Sequence, residues 1–138
     1  LCDLLQYQRA SFVRKLRGVD DDAARRSPVG SGTTLLWLAT HMAQAEQTWI
    51  VTRFAGRSVP EDLLVAPESL AQAVAIYEQT TALTDGIILG AASLDELCLD
   101  AEPAVNLRWI LAHLLQETAR HAGHVDILRE LIDGETGR

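Results

Sequence analysis

Glu117, His121 and His124 are the residues of this chain best spaced to do chemistry together. At 100° per residue, spacings of four and three put them within about 60° of one another around a helix, so the three side chains share a face. That face is otherwise apolar, because Ile110, Leu114, Leu128 and Leu131 continue the same stripe on both sides. The polar break is therefore expected to point inward with its leucine neighbours. A buried carboxylate without a partner is costly, and taking up a proton only converts the cost into a shifted pKa. A divalent cation offsets it, since a carboxylate and an imidazole one helical turn apart reach a single ion from the same side. A third ligand must come from another helix, and His41 is the one histidine outside this segment. Two imidazoles and a carboxylate leave positions open for water or substrate, as in catalytic zinc sites. The same set suits iron, nickel or manganese.

Duller readings compete with this one. A Glu-x-x-x-His pair on a surface helix is ordinarily a polar contact, and a lone histidine on a helix flank is ordinarily a hydrogen-bonded structural residue. Against them stands the unbroken stripe, in which a surface pair would have no reason to replace core positions. His113 precedes Glu117 by the same four residues that separate Glu117 from His121, so spacing alone leaves two pairs open. His124 reads better as a hydrogen-bonded partner or pocket wall than as a ligand. Trp37, Thr34 and Thr48 around His41, with Arg120 near Glu117, are the expected surroundings of a pocket.

The elements that must position these groups are all helical. The first is expected over about Leu4 to Leu16, with Leu5, Phe12, Val13 and Leu16 recurring at threes and fours until Gly18 and Asp20-Asp21-Asp22 break the pattern. Ser27 to Gly32, with Pro28 and two glycines, reads as a loop. A second helix starts at a Thr33 or Thr34 cap and runs to about Phe54 with Leu35, Leu38, Met42, Ala45 and Trp49 on one stripe. A third opens at Pro67 and carries Leu70, Val74, Tyr77, Leu83 and Ile87, after a link long enough for a crossover. Ser93 to Glu96 has the form of a capping box on a short turn. The last helix spans about Val105 to Ile132 and stops at Gly134. No strand alternation competes, so the expected fold is an all-α four-helix bundle forming one domain over residues 1–138, with its site between facing helices.

Composition narrows the partners. The 138 residues are enough for one unstapled core, and no apolar run approaches the roughly 18 needed to cross a bilayer. A formal charge of −7 disfavours nucleic acid and anionic membranes, whose phosphates are met by Lys and Arg. Cys2 and Cys98 make neither a CxxC motif nor a disulfide framework, which suits a reducing cytoplasm. Cys98, off the helices, is set aside as a nucleophile.

Asn106-Leu107-Arg108-Trp109-Ile110-Leu111-Ala112-His113, then Glu117-Thr118-Ala119-Arg120-His121-Ala122-Gly123-His124 and Asp126 to Gly134, resemble the C-terminal motif of the DinB-like (YfiT-like) metal-dependent superfamily. The likeness is to its actinobacterial branch of mycothiol transferases and uncharacterised proteins. Leu36-Trp37-Leu38 before His41, with Glu46 and Trp49 after it, resembles the family's other motif. The resemblance implies a four-helix bundle, a divalent metal, usually zinc or nickel, and frequent homodimers. Many members carry two histidines four apart on the last helix. Glu117 stands in the first of those places and His121 in the second, which is similar to the mycothiol-dependent maleylpyruvate isomerase branch. That likeness selects His41, Glu117 and His121 over the pair with His113.

The implied activity is thiol transfer, in which a low-molecular-weight thiol on the metal loses its proton and attacks an electrophilic small molecule. Coordination deprotonates a thiol, and the thiolate is the nucleophile. The alternatives are a hydrolase or isomerase using metal-bound water and a non-catalytic metal-stabilised bundle that binds a small molecule, its coordination completed by His113 or His124. An exposed Trp109 would suit a helix-packed dimer.

Overall fold

Three of the long helices open where the sequence offers a capping side chain. Thr34 Oγ1 accepts from Trp37 N at 3.0 Å, Ser69 Oγ from Gln72 N at 3.1 Å and Asn106 Oδ1 from Trp109 N at 2.9 Å. In the computed structural model, which describes residues 1–100 and 102–136, α1 spans Cys2–Leu16, α2 Asp21–Arg25, α3 Leu35–Glu46, α4 Leu70–Gly90 and α5 Leu107–Asp133. The same rod continues beyond α3 as a π-helical stretch, Gln47–Phe54. Gly134 ends α5 in the left-handed conformation (φ 78°), its N–H donating to Glu130 O at 3.1 Å.

The path is up-down-down-up. Lys15 pairs with Asp126, and Leu5 shares a cluster with Leu107, Ile110 and Leu111, so α1 and α5 run parallel. Gln47 reaches Thr80 while Ile50 clusters with Ile87, which sets α3 parallel to α4. His41 against His121 and Trp49 against Trp109 make α3 antiparallel to α5. Parallel neighbours need a connection that travels back along the bundle. Residues 55–69 are that crossover, pinned where Gln47 Nε2 donates to Leu63 O at 3.0 Å. No helix among the described residues is long and apolar enough to cross a membrane.

Four local expectations are corrected. The aspartates expected as a break build α2, because Asp20 Oδ1 caps it by accepting from Ala23 N at 2.8 Å. The third long helix starts at Leu70 behind its Ser69 cap, not at Pro67. In the Ser93 turn, Glu96 Oε2 accepts from Ala92 N and Ser93 Oγ from Asp95 N, each one residue away from the capping-box pattern. Finally, Leu131 and His124 are exposed. A strict seven-residue stripe drifts about 20° per heptad around a straight α-helix. The buried line of α5 therefore moves over to Leu114, Thr118, Ala122 and Val125, leaving the polar residues on its margin facing α3.

Buried polar groups tie three helices together. Arg9 of α1 donates from Nε to Glu46 Oε1 (2.7 Å) and from Nη2 to Oε2 (2.6 Å), with Glu46 fully enclosed on α3. Arg9 Nη1 also reaches Asp85 of α4 at 2.7 Å, and Thr84 Oγ1 donates to Glu46 Oε2 at 3.0 Å. Burial works against the charge on Arg9, but hydrogen bonds and attraction to Glu46 and then Asp85 outweigh it and hold its pKa above the ordinary value.

Candidate metal centre

Two helices bring three ligand types to one point. His41 lies on the second turn of α3, Glu117 and His121 one turn apart in the middle of α5, and one ligand atom from each falls within 4.8 Å of the others. His121 Nε2 stands 3.4 Å from Glu117 Oε2. Donors about 2.1 Å from a shared ion sit about 3.4 Å apart on a tetrahedron, so this pair already has the spacing. Closing the widest gap, 4.8 Å, to that spacing is a side-chain adjustment of about 1.4 Å. A set of two imidazoles and one carboxylate, gathered from two helices and sheltered from water, fits a divalent cation.

Each member is held so that one donor atom stays free. His121 Nδ1 lies 3.2 Å from His124 Nδ1, which leaves Nε2 facing Glu117 and His41. Arg120 Nη1 takes Glu117 Oε1 at 3.2 Å, leaving Oε2 turned to His121. The His41 ring stacks on Trp37, with centroids 4.8 Å apart and planes 5° from parallel, and meets His121 edge-on at 4.9 Å. Burial, followed by the neighbouring His41 charge, lowers the His121 pKa below 6.5. The ring is thus neutral at pH 7, the state in which an imidazole binds a metal. The Glu117 side chain is 17% exposed, which makes it sheltered rather than fully buried.

The remaining expected residues divide. His124 touches the site through His121, and Arg120 through Glu117 with its far side in solvent. Trp37 is half exposed and forms the outer wall over His41. The Thr34 hydroxyl is occupied as the α3 cap, and Thr48 is exposed on the π-helical stretch. His113 stands in a different cluster, stacked on Trp109 (5.2 Å, 8°) and edge-on to Trp49 (4.8 Å), with the Arg53 guanidinium 4.3 Å above Trp49. Cys98 is buried, its Sγ accepting from Val105 N at 3.3 Å, which is a structural role.

Sequence reasoning missed the Arg9–Glu46 pair, although Arg9 interrupts the stripe of Leu5, Phe12 and Leu16 as plainly as Glu117 interrupts its own. It also missed a groove beside His124, lined by Val29, Ser31, Thr33, Ile127 and Leu128. The available signal was Ile127, an exposed apolar residue off the core stripe of α5.

With this geometry in view, the family model for mycothiol-S-transferases matches residues 1–134. The chain belongs to the mycothiol-S-transferase family. Its fold is shared with a conserved protein from Enterococcus faecalis whose crystal structure superposes with a TM-score of 0.68 at 16% identity, over 96% of this chain and 95% of that one. A comparison with curated proteins finds no match. The family implies a small-molecule thiol substrate.

Proposed function

We propose that this mycothiol-S-transferase family member is a metal-dependent thiol S-transferase, with His41, Glu117 and His121 as the ligands of one divalent cation, zinc foremost. The observation carrying the proposal is the convergence of those three ligand atoms, drawn from two helices, within 4.8 Å. A cation bound there would supply acidity, lowering the pKa of a coordinating thiol so that thiolate is present at neutral pH.

The chain's own groups prepare that chemistry. His124 holds the His121 ring by its Nδ1, and Arg120 restrains one oxygen of Glu117, so both donors keep their aim. Trp37 covers one face of His41 and limits water there. The thiol proton passes to solvent. The sulfur electron pair then forms a bond to the electrophilic carbon, and the leaving group departs with the electrons of the bond that breaks. A low-molecular-weight thiol such as mycothiol is the cosubstrate, and the Trp109 face is the surface assigned to a homodimer. The free thiols of Cys2 and Cys98 suit a cytoplasmic setting.

The test is elemental analysis of freshly purified protein, followed by titration of mycothiol into the cobalt-substituted form. About one metal per chain and a sulfur-to-cobalt charge-transfer band on titration are expected. Metal retained in both His41→Ala and His121→Ala would remove the ligand set. An unresponsive cobalt spectrum combined with ester or amide hydrolysis in the absence of thiol would replace the transferase with a hydrolase.

A further inference from the structure

A groove of about 310 Å³ opens beside His124, the residue in contact with His121, between the loop that precedes α3 and the outer side of α5. Its walls are Val29, Ile127 and Leu128, with His124 at one edge and Ser31 and Thr33 at another. The His124 imidazole is shared between the two places, since it lines the groove and its Nδ1 lies 3.2 Å from Nδ1 of His121. A molecule seated against Ile127 and Leu128 is therefore one imidazole away from a proposed metal ligand.

The chemistry of the walls is one-sided. No carboxylate, lysine or arginine is among the lining residues, and the two hydroxyls are engaged with each other, Ser31 Oγ and Thr33 Oγ1 lying 2.9 Å apart. Ile127 is 55% exposed although it sits on a helix whose other large apolar side chains are mostly buried. A charged ligand would give up hydration here without gaining a counter-ion, whereas an apolar one would gain from covering Ile127 and the half-buried Val29. The groove between α1 and α4 is the reverse, lined by Arg9, Arg14, Arg17 and Glu78 on the side of the bundle away from His41.

We propose that the groove between Val29 and Ile127 seats the electrophile of the transfer reaction and selects neutral, apolar molecules over anionic ones. The electrophile role rests on the transferase reading above, whereas the ligand class follows from the walls alone. Ile127 is the specificity-determining residue, and His124 is the edge of the groove nearest the candidate centre.

Two matched pairs of probes test it on the zinc-loaded protein. N-phenyl-1-naphthylamine and its sulfonated analogue 8-anilino-1-naphthalenesulfonate report binding by fluorescence without any turnover. The first is expected to bind at least about ten-fold more tightly, to lose about ten-fold in Ile127→Glu, and to be unaffected in Ile127→Leu, a loss typical of spoiling one apolar pocket contact. With mycothiol present, 1-chloro-2,4-dinitrobenzene and 4-chloro-3,5-dinitrobenzoate report transfer above the uncatalysed rate. The neutral chloride is expected to be preferred, with Ile127→Glu raising its KM about ten-fold at unchanged kcat. Equal binding of the two dyes, or dye affinity and KM both indifferent to Ile127→Glu, overturns the proposal even when transfer itself is observed. Neutral-dye binding lost in Ile127→Glu, with no thiol-dependent turnover of either chloride, instead sinks the transferase reading and upholds the ligand class of the groove.

Discussion

Replacing Glu46 with alanine should destabilise this protein by about 3 kcal/mol, a value at the lower end of the roughly 3–5 kcal/mol found when one partner of a buried ion pair is removed. The structure gives the reason for the lower end. Arg9, only 4% exposed, loses its Nε and Nη2 acceptors at 2.7 and 2.6 Å but keeps Asp85 on Nη1 at 2.7 Å. Two charge-assisted hydrogen bonds at about 1.5–3 kcal/mol each lead to the same range independently. For a chain of this length about 1 kcal/mol moves Tm by about 3–4 °C, so Glu46→Ala should melt about 10 °C below the parent. Urea unfolding followed by circular dichroism gives the free energy directly. The double variant Arg9→Met with Glu46→Leu should recover most of the loss, because no uncompensated charge is left inside. A cost below about 1 kcal/mol for Glu46→Ala, or a double variant no better than the single one, would show that the Arg9 charge is not held by the pair.

Three further outcomes are expected. His41→Ala should fall from about one metal per chain to almost none by elemental analysis, while His113→Ala keeps its metal, since His113 stacks on Trp109 instead. His124→Ala should weaken zinc binding by about 10–100-fold in chelator competition, through loss of the contact that orients His121 rather than loss of a ligand. In metal-free protein, the lowered His121 pKa means that the unfolded chain takes up a proton first as the pH falls past 6.5. The stability associated with His121 is therefore complete above that value and declines between it and the lower folded pKa. The urea midpoint with chelator present should fall as the pH is taken below 6.5, and His121→Gln should flatten that slope.

The site's two halves differ in how far they can be read from the chain alone. Glu117 and His121 share a helical face because 3.6 residues make a turn, and that relation survives any packing of α5. The same local rule located a cap at Thr33 or Thr34, of which the structure uses Thr34, and the stop at Gly134, since a cap acts within one turn of itself. The crossover after Phe54 was legible from the length of its link. What periodicity does not contain is the rotation of one helix against another. His113 and His121 have equivalent spacing from Glu117, and only the antiparallel seating of α5 on α3 sets His121 opposite His41 and His113 opposite Trp49. Recognition of the family motif supplied that choice beforehand; helical geometry did not. Drift of a seven-residue pattern around a straight helix likewise moved Glu117 and His124 from the expected centre of the bundle to its edge, where a groove adjoins His124. Glu46 belongs to the motif around His41, but nothing in its spacing marks it as enclosed, and its burial follows from α1 bringing Arg9 across 37 positions of sequence. Local periodicity thus determined the helices and the two neighbouring ligands on α5. Tertiary packing decided which third histidine meets them and which charge is enclosed, because those contacts depend on the surfaces of several helices at once.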